Sequence, residues 1–234
     1  MDWLKFFFGL VVATGLGCGS AVASDTDPAA EAEYARLLAL VEQQRSPVKQ
    51  ARGSLSYLGK PQLGDPAAPV VVVEFGSFRC PYCRRHAATT LPLLLEHVER
   101  GELVYVFHDF SRTEDGKLSL EAALCAHDQD AYLPYRQALL AAQTRLSRDV
   151  LETLADTIGL QQDAFRDCLE EQRHQAAASG QFTTATTLRV RGTPTFFIGT
   201  TNPDSGQITL IRRIDGAQPY ETFAREIAVL IGKS

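Results

Sequence analysis

The sequence lacks the residue spacing of a metal site and the positive net charge of a nucleic-acid-binding protein. It has a single Cys-x-x-Cys pair, and without a second pair a four-cysteine zinc site lacks half of its ligands. The five histidines show no spacing typical of metal ligands. The formal net charge at pH 7 is −5, which gives no reason to expect nucleic acid or an anionic membrane surface as a partner. We therefore expect neither a metal ion nor a bound cofactor.

The Cys-x-x-Cys pair lies between a strand pattern and a helix pattern. Residues 70–75 form a nearly continuous β-branched run, typical of a buried central strand, and residues 84–99 have the length and composition of a helix. Cys80 therefore lies at the start of the helix, where free backbone amides and the helix dipole favour a thiolate. Pro81 is tolerated at the first helical position. Cys83 follows on the same helical face, so it can reach the Cys80 sulfur and is predicted to be the more buried, resolving thiol.

The residues around the cysteine pair favour a redox role over a zinc site or haem attachment. A zinc site that includes His86 is one ligand short, and haem attachment requires a histidine directly after Cys83, where the sequence has Arg84. Two inert buried thiols are disfavoured by the flanking strand and helix. A binding protein that holds a soft metal such as Cu(I) between the two cysteines stays open as an alternative. A redox pair is favoured, since the arginines at positions 79, 84 and 85 add positive charge that stabilises a thiolate.

The N-terminus has the pattern of an export signal. Lys5 precedes an uncharged, largely apolar stretch, and residues 21–23 supply the small-x-small pattern found before a cleavage site. We predict a signal peptide at residues 1–23 and export to an oxidising compartment, the periplasm in a Gram-negative-like cell. Two alternatives stay open, namely an uncleaved segment that anchors the chain in the membrane and lipid attachment at Cys18.

Residues 24–63 are predicted to form an amphipathic helix followed by a linker. The helix is read from an apolar stripe at helical spacing, which consists of Tyr34, Leu37, Leu38 and Val41. It covers its own domain or, alternatively, forms a homo-oligomer through residues 28–45. Residues 58–69 are rich in Gly, Pro and Asp and are predicted to be a loop.

Residues 64–234 are predicted to form one α/β domain that is interrupted by an all-helical insertion. A short apolar strand at residues 103–107 follows the first helix, and strand character returns at residues 193–199 and 207–214 before a final helix at residues 219–231. The element order is β-α-β, helical insertion, β-β-α. The insertion at about residues 117–188 carries helical patterns at residues 121–127, 134–142, 149–158 and 163–172.

Pro194 stands at the start of an apolar strand, although a proline cannot donate to the hydrogen-bond ladder. Such a proline belongs at a sheet edge, at a strand start or after a cis peptide bond. A cis bond between Thr193 and Pro194 would leave neighbouring backbone groups free to bind an incoming extended polypeptide.

Three segments together resemble the thioredoxin superfamily, and specifically its exported DsbA-like group with a helical insertion. The segments are residues 72–83 (VVEFGSFRCPYC), 106–110 (VFHDF) and 192–197 (GTPTFF). The resemblance covers about residues 64–234 and implies a thioredoxin fold with redox activity on cysteines. It also implies that Cys80 attacks, that Cys83 is its partner, and that Pro194 is a cis-proline facing them with Thr193 before it.

Glu74 matches the acidic residue that proteins of this family carry in the central strand. A carboxylate inside a valine-rich strand is expected to be desolvated, which raises its pKa and fits it to pass a proton to or from Cys83. The alternative is a carboxylate that is paired with a Lys or Arg for structure alone.

The resemblance leaves the direction of the reaction open. Pro81 and Tyr82 stand between the cysteines, where the strong periplasmic oxidase has Pro-His and glutaredoxins have Pro-Tyr. We therefore expect a reduction potential between about −120 and −230 mV. Thr193 is similar both to disulfide isomerases and to many DsbA-like proteins, so it does not separate the two activities.

Cys125 and Cys168 lie in the helical insertion at positions that face inward by helical spacing. Removal of Cys18 with the signal leaves an even number of cysteines in an oxidising compartment, which favours a structural disulfide between these two. Its loop of about 43 residues would stabilise the fold by about 3 to 4 kcal/mol. Two buried free thiols are the alternative.

The sequence thus predicts an exported thiol:disulfide oxidoreductase, most simply a dithiol oxidase. Its partners would be cysteine-containing exported proteins and a membrane or soluble redox protein that resets the active site. An oligomeric disulfide isomerase or reductase is the main alternative.

Overall fold

The computed structural model describes residues 28–111, 113–142 and 146–232. The predicted signal peptide at residues 1–23 and Cys18 lie outside these ranges. Within them, no helix has both the length and the apolar character that crossing a membrane requires.

The N-terminal unit ends at Gln44 and contains helix α1 (Pro28–Arg45) except for its last residue. The helix begins where the sequence predicts. Its apolar residues Tyr34, Leu37 and Leu38 are exposed, and Leu40 is exposed as well. The side chain of Val41, the fourth residue of the predicted stripe, is outside the described part of the structure.

The second unit, from residue 45 onward, is built on a mixed sheet whose described residues form seven strands. The strands are β1 (Val48–Gln50), β2 (Ser54–Ser56), β3 (Gln62–Leu63), β4 (Val70–Phe75), β5 (Leu103–Phe107), β6 (Thr195–Asn202) and β7 (Gln207–Asp215). Their order is β1-β7-β6-β4-β5-β3, with β2 also pairing with β7. Central β4 is parallel to β5, antiparallel to β6 and buried at every residue, as its β-branched run predicts.

Three short strands were not predicted. β1 and β2 pair with β7, while β3 lies inside residues 58–69, which were expected to be a loop, and pairs with β5. Strands of two or three residues are too short to show an alternating pattern, and they form because a neighbouring strand offers free backbone groups. The prediction of an uninterrupted loop was therefore wrong.

The helix predicted at residues 84–99 is two helices, α2 (Pro81–Thr89) and α3 (Leu91–Glu99). Pro92 in the first turn of α3 has no N–H to donate to the preceding turn, so one continuous helix cannot form there. Thr90 joins the two and donates its backbone N–H to His86.

The helical insertion begins at Glu114 instead of residue 117 and contains one more helix than the sequence indicates. Its helices are α4 (Glu114–His127), α5 (Tyr132–Ala142), α6 (Arg148–Thr157), α7 (Gln162–Glu171) and α8 (Gln175–Thr187), and α9 (Tyr220–Ile231) ends the chain. The sequence did not separate α8 from α7, because the break is made by Gln172 in a left-handed conformation (φ 50°) instead of by a Gly or Pro. The predicted order of β-α-β, helical insertion and β-β-α is confirmed.

The core lies on both faces of the sheet. Along β4, Val70 and Val72 belong to a cluster shared with α3 to α7 and α9, whereas Val71 and Val73 belong to a cluster that includes Ala185 of α8. Successive side chains of a strand point to opposite faces, so a strand buried on both faces needs apolar residues throughout. Each such side chain contributes about 1.5 to 3 kcal/mol on burial. The result is a rigid central strand directly before the cysteine pair.

Candidate redox site

Two segments that are distant in the sequence meet beside the cysteine pair. β4 ends at Phe75 and β6 begins at Thr195, and these residues are partners across the sheet. The chain after Phe75 leads to Cys80, while the chain before Thr195 contains Thr193. The Cys80 sulfur lies 3.1 Å from the backbone oxygen of Thr193, across 113 residues of sequence.

Cys80 is the N-cap residue of α2, with Pro81 at the first helical position. Its side chain is half-buried, whereas that of Cys83 is fully buried, and both thiols are free in this structure. The predicted difference in exposure between the two cysteines is therefore present. An incoming sulfur can reach Cys80 but not Cys83.

The environment of Cys80 favours its thiolate. A hydrogen bond from the Cys83 side chain is the main cause that lowers the pKa of Cys80 to about 5, helped by Thr193 and by the backbone amides of Cys83 and Tyr82, while burial opposes it. The protonated Cys80 thiol can donate a hydrogen bond to the Thr193 carbonyl. The Cys80 thiolate cannot donate, but it still accepts hydrogen bonds, and these stabilise it. Free amides at the helix start thus act as the sequence predicts.

The environment of Cys83 disfavours its thiolate. Its hydrogen bond to Cys80, its burial and the charge of Glu74 all raise the pKa of Cys83 well above the ordinary value. The reduced pair therefore carries one negative charge, held on the exposed sulfur, and one proton, held on the buried sulfur. This is the arrangement that an attacking thiolate and a protonated resolving thiol require.

Pro194 is buried directly before β6, and the peptide bond that joins it to Thr193 is cis. The Pro194 carbonyl accepts a hydrogen bond of 2.9 Å from the Gly216 amide. The Thr195 hydroxyl donates to the Gly192 carbonyl at 2.8 Å. These bonds fix the loop that faces Cys80.

Glu74 is fully buried in β4, and both of its carboxylate oxygens have partners. Arg136 of α5 donates to Oε1 at 2.7 Å, and the Tyr105 hydroxyl donates to Oε2 at 2.8 Å. The sequence allows two roles for Glu74, proton transfer and a structural ion pair. The contact with Arg136 is such an ion pair. The charge of Glu74 also acts on Cys83, whose pKa it raises, so the carboxylate is linked both to the fold and to the thiol pair.

Asp109 and Arg136 complete a buried ionic cluster that was not predicted from the sequence. Arg136 Nε donates to Asp109 at 2.9 Å, the Tyr132 hydroxyl donates to the same carboxylate, and the Arg136 guanidinium lies 4.8 Å from the centre of the Phe107 ring. Burial first, and then the charge of Glu74, raise the pKa of Asp109, while Arg136 lowers it. The charged Arg136 in the apolar helical segment of residues 134–142 is the signal that indicates such a cluster.

Gly76, directly after β4, leaves room for this cluster. A Cβ atom there would overlap the Asp109 carboxylate and lie 3.0 Å from Arg136 Nη2. A glycine is therefore required between the central strand and the cysteine pair.

His86 is fully buried in α2. Its Nε2 lies 3.0 Å from the Tyr105 hydroxyl, which gives its own proton to Glu74, so the histidine donates at Nε2. Burial, and to a lesser degree the charge of Arg136, lower the pKa of His86 to about 3. The ring is thus neutral and packs 4.4 Å from the centre of the Phe196 ring.

Cys125 and Cys168 form a disulfide that joins α4 to α7. His174 lies close enough for the three side chains to resemble a metal-ligand group among the described residues. However, disulfide sulfurs are not thiolates and do not coordinate a metal as thiolates do. This pair is structural, and it is separate from Cys80 and Cys83.

Comparison with known proteins places this geometry in a family. A family model described as Thioredoxin matches residues 57–216. The Na(+)/H(+) antiporter NhaA 1 of Salinispora arenicola is 33% identical over 138 residues, which is 58% of this chain and 21% of that protein. A putative protein-disulfide oxidoreductase of Rickettsia typhi is 24% identical over 171 residues, which is 70% of this chain and 63% of that protein.

The fold has counterparts among solved structures. The crystal structure of Wolbachia pipientis alpha-DsbA1 matches with a TM-score of 0.64 and 22% identity, covering 74% of this chain and 92% of that one. The chain spans about a fifth of the antiporter and less than two thirds of the Rickettsia protein.

Proposed function

The chain belongs to the thioredoxin family, and from this premise we propose that it is a thiol:disulfide oxidoreductase that oxidises pairs of cysteines in exported proteins. Its fold is a thioredoxin fold with an all-helical insertion. The observation that carries the proposal is the opposite environment of the two thiols: the pKa of half-buried Cys80 is lowered to about 5, and that of buried Cys83 is raised. The name of the Rickettsia relative supports the same activity.

The proposed reaction begins with the Cys80–Cys83 disulfide. A substrate thiolate attacks the Cys80 sulfur, a new bond forms between these two sulfurs, and Cys83 leaves with the electron pair of the broken bond and takes up a proton. A second substrate thiolate then attacks the substrate sulfur of the mixed disulfide and releases Cys80 as a thiolate. The substrate loses two electrons and gains a disulfide, and the enzyme is left as a dithiol.

The low pKa of Cys80 sets the direction of this exchange. A thiolate that is stabilised in the reduced enzyme makes the oxidised enzyme a stronger oxidant, because the reaction that releases Cys80 becomes more favourable. A membrane or soluble redox partner that carries an oxidised disulfide must then return Cys80 and Cys83 to the disulfide form.

Glu74 is proposed to take part when Cys83 gains or loses its proton. Its carboxylate is buried, is held by Arg136 and Tyr105, and acts on the Cys83 thiol through its charge. A negative charge at this place disfavours a second thiolate, so it favours protonation of Cys83 as the disulfide opens. Pro194 and Thr193 are proposed to hold the substrate backbone opposite Cys80.

The export signal predicted from the sequence is consistent with this function, since a dithiol oxidase requires an oxidising compartment. We propose cleavage of the signal peptide after residue 23 and action in the periplasm, with membrane anchoring as the alternative. The exposed apolar residues of α1 are compatible with a homo-oligomer, and an oligomer would favour an isomerase. Gel filtration of the mature chain, with and without residues before Gly53, separates the two: a dimer or trimer lost on truncation supports the isomerase.

Trapping of mixed disulfides tests the proposed function directly. In a Cys83→Ala variant the Cys80 thiolate can still attack a disulfide of an exported protein, whose second sulfur leaves as a thiolate, but Cys83 can no longer displace the bound substrate. Such proteins should therefore accumulate as Cys80-linked adducts that a reductant removes. A Cys80→Ala variant should form none of these adducts. If the Cys83→Ala variant yields no adducts and the only change is a loss of bound Cu(I), the soft-metal alternative is correct.

A further inference from the structure

Two grooves border the segment that faces Cys80, and both are cationic. The first groove has a volume of about 360 Å³, and its lining includes Ser77, Arg79, Phe110, Arg191 and Thr193. It contains two arginines, and no aspartate or glutamate is among its described lining residues. An extended chain bound at Thr193 would run along this groove.

The second groove shares Arg191, Gly192 and Thr193 with the first and has a volume of about 600 Å³. Its carboxylate, Asp215, is bonded to Lys49 at 2.9 Å and to Arg213 at 2.7 Å. Arg191 also lines this groove, so its side chain is shared by both. The one carboxylate among the described lining residues of the two grooves is therefore already neutralised, and positive charge is left over.

Arg79 and Arg191 are two of the cations that line these grooves. Both are exposed, and within the described residues neither has a carboxylate at ion-pair distance. Arg85 differs, because it donates to the Ala217 carbonyl at 3.1 Å and lies 5.1 Å from the centre of the Tyr82 ring. The whole chain carries a formal charge of −5, so the positive charge at the site is a local excess and not a general property of the surface.

We propose that this site selects cysteines that are flanked by acidic residues in the substrate, with Arg191 as the main determinant. The inference rests on the proposed thiol:disulfide exchange and names its preferred substrate class. An acidic side chain next to the reacting cysteine would lie in a groove between Arg79 and Arg191, where it meets two cations and no unpaired carboxylate. A basic side chain there would meet like charges on both sides.

The size of the preference for acidic flanking residues follows from the solvent exposure of the ion pairs that they would form with Arg79 and Arg191. An exposed ion pair changes an equilibrium constant by a factor of about 1.4 to 5. Salt at about 0.1 M ionic strength screens such a pair over about 10 Å. We therefore expect the acidic flank to raise the second-order rate constant at least about twofold over a neutral flank at low salt. The preference should disappear at high salt.

The test uses three dithiol peptides that differ only in the residues beside the cysteines, which are Asp, Asn or Lys. The oxidised wild-type chain should oxidise the Asp peptide fastest and the Lys peptide slowest. Arg191→Glu should abolish this preference, because the new carboxylate offsets the remaining charge of Arg79. Arg225→Glu is the matched control, since Arg225 is an exposed arginine of α9 that lines neither groove, and it should keep the wild-type order.

A second measurement separates this inference from the proposed function. Fluorescein-labelled peptides in which Ser replaces each Cys bind without exchange, so their affinity for the wild-type chain can be compared by anisotropy. If the Asp peptide binds better than the Lys peptide and Arg191→Glu abolishes the difference, the groove selects acidic segments even where no peptide is oxidised. If binding and oxidation do not depend on the flanking charge, or if Arg191→Glu slows all three peptides equally by acting on the Cys80 thiolate, the inference is wrong.

Discussion

At the scale of single residues, the site works by holding one charge and one proton apart on two neighbouring sulfurs. Cys80 has an accessible sulfur at a helix start, whereas Cys83 is buried near the Glu74 carboxylate. Desolvation and a nearby negative charge both penalise a thiolate, and they act on the second sulfur far more than on the first. The position of each residue thus fixes its role before any substrate arrives.

The titration of Cys80 follows from this separation. Its pKa is lowered from 9.0 to about 5, so ionisation of Cys80 stabilises the folded, reduced protein. That stabilisation is complete above pH 9 and is lost as the pH falls through 5. The rate at which iodoacetamide alkylates Cys80 in the reduced protein should therefore be nearly constant from pH 6 to 8, and it should fall at lower pH with a midpoint near pH 5.

The cause of this titration can be checked with a matched pair of variants. Cys83→Ser keeps a hydrogen-bond donor to the Cys80 sulfur, whereas Cys83→Ala removes it, so the midpoint should be higher in the alanine variant. A wild-type midpoint near 9 would contradict the described environment of Cys80.

At the scale of elements, the sequence predicts the parts with strong patterns and misses those that depend on tertiary contacts. Strands β4 and β5 begin and end at the predicted residues, because a strand buried on both faces is apolar throughout. β1 to β3 form only beside a partner strand, so no local pattern shows them. In the site, Cys80 and Pro194 are visible as motifs. Arg136 belongs to no sequence motif, since its partners come from β4 and from the segment after β5.

The buried cluster should be the part of the protein most sensitive to loss of one charge. Replacing Arg136 by Met leaves the Glu74 and Asp109 carboxylates buried without a cation, which should lower the free energy of unfolding by about 3 to 5 kcal/mol. Urea unfolding of the oxidised chain measures this. Arg225→Met is the control at an exposed position, and it should change stability by less than about 0.5 kcal/mol.

A triple variant tests whether uncompensated charge is the cause. Arg136→Met combined with Glu74→Gln and Asp109→Asn removes all three charges, and it should recover most of the stability that the single variant loses. Equal stability of the single variant and the wild type would show that the cluster does not act through its charges.

At the scale of the whole molecule, a disulfide links two helices of the insertion to each other, and an ion pair links the insertion to the sheet. The Cys125–Cys168 disulfide links α4 to α7, while Arg136 links α5 to the central strand. The number of cysteines and the expected compartment predict this disulfide, and the structure contains it. The insertion is therefore closed by a covalent bond that does not involve the reacting sulfurs.

Removing this disulfide should weaken the fold without ending the chemistry. Cys125→Ser with Cys168→Ser should lower the free energy of unfolding by about 3 to 4 kcal/mol, since the two residues are 43 positions apart. Guanidinium unfolding measures the loss, and alkylation followed by mass spectrometry should find no free thiol at either position in the oxidised wild type. Free thiols at both would contradict the bond.

The most direct measurement of the central claim is the number of disulfides that the oxidised chain forms in reduced ribonuclease. With no other oxidant present, each chain should form one substrate disulfide and end with Cys80 and Cys83 both reduced, because two electrons pass from substrate to enzyme. The Cys80→Ala variant should form none. If the wild type forms no substrate disulfide, or if the variant forms as many, then Cys80 and Cys83 do not carry out thiol–disulfide exchange and the account is wrong.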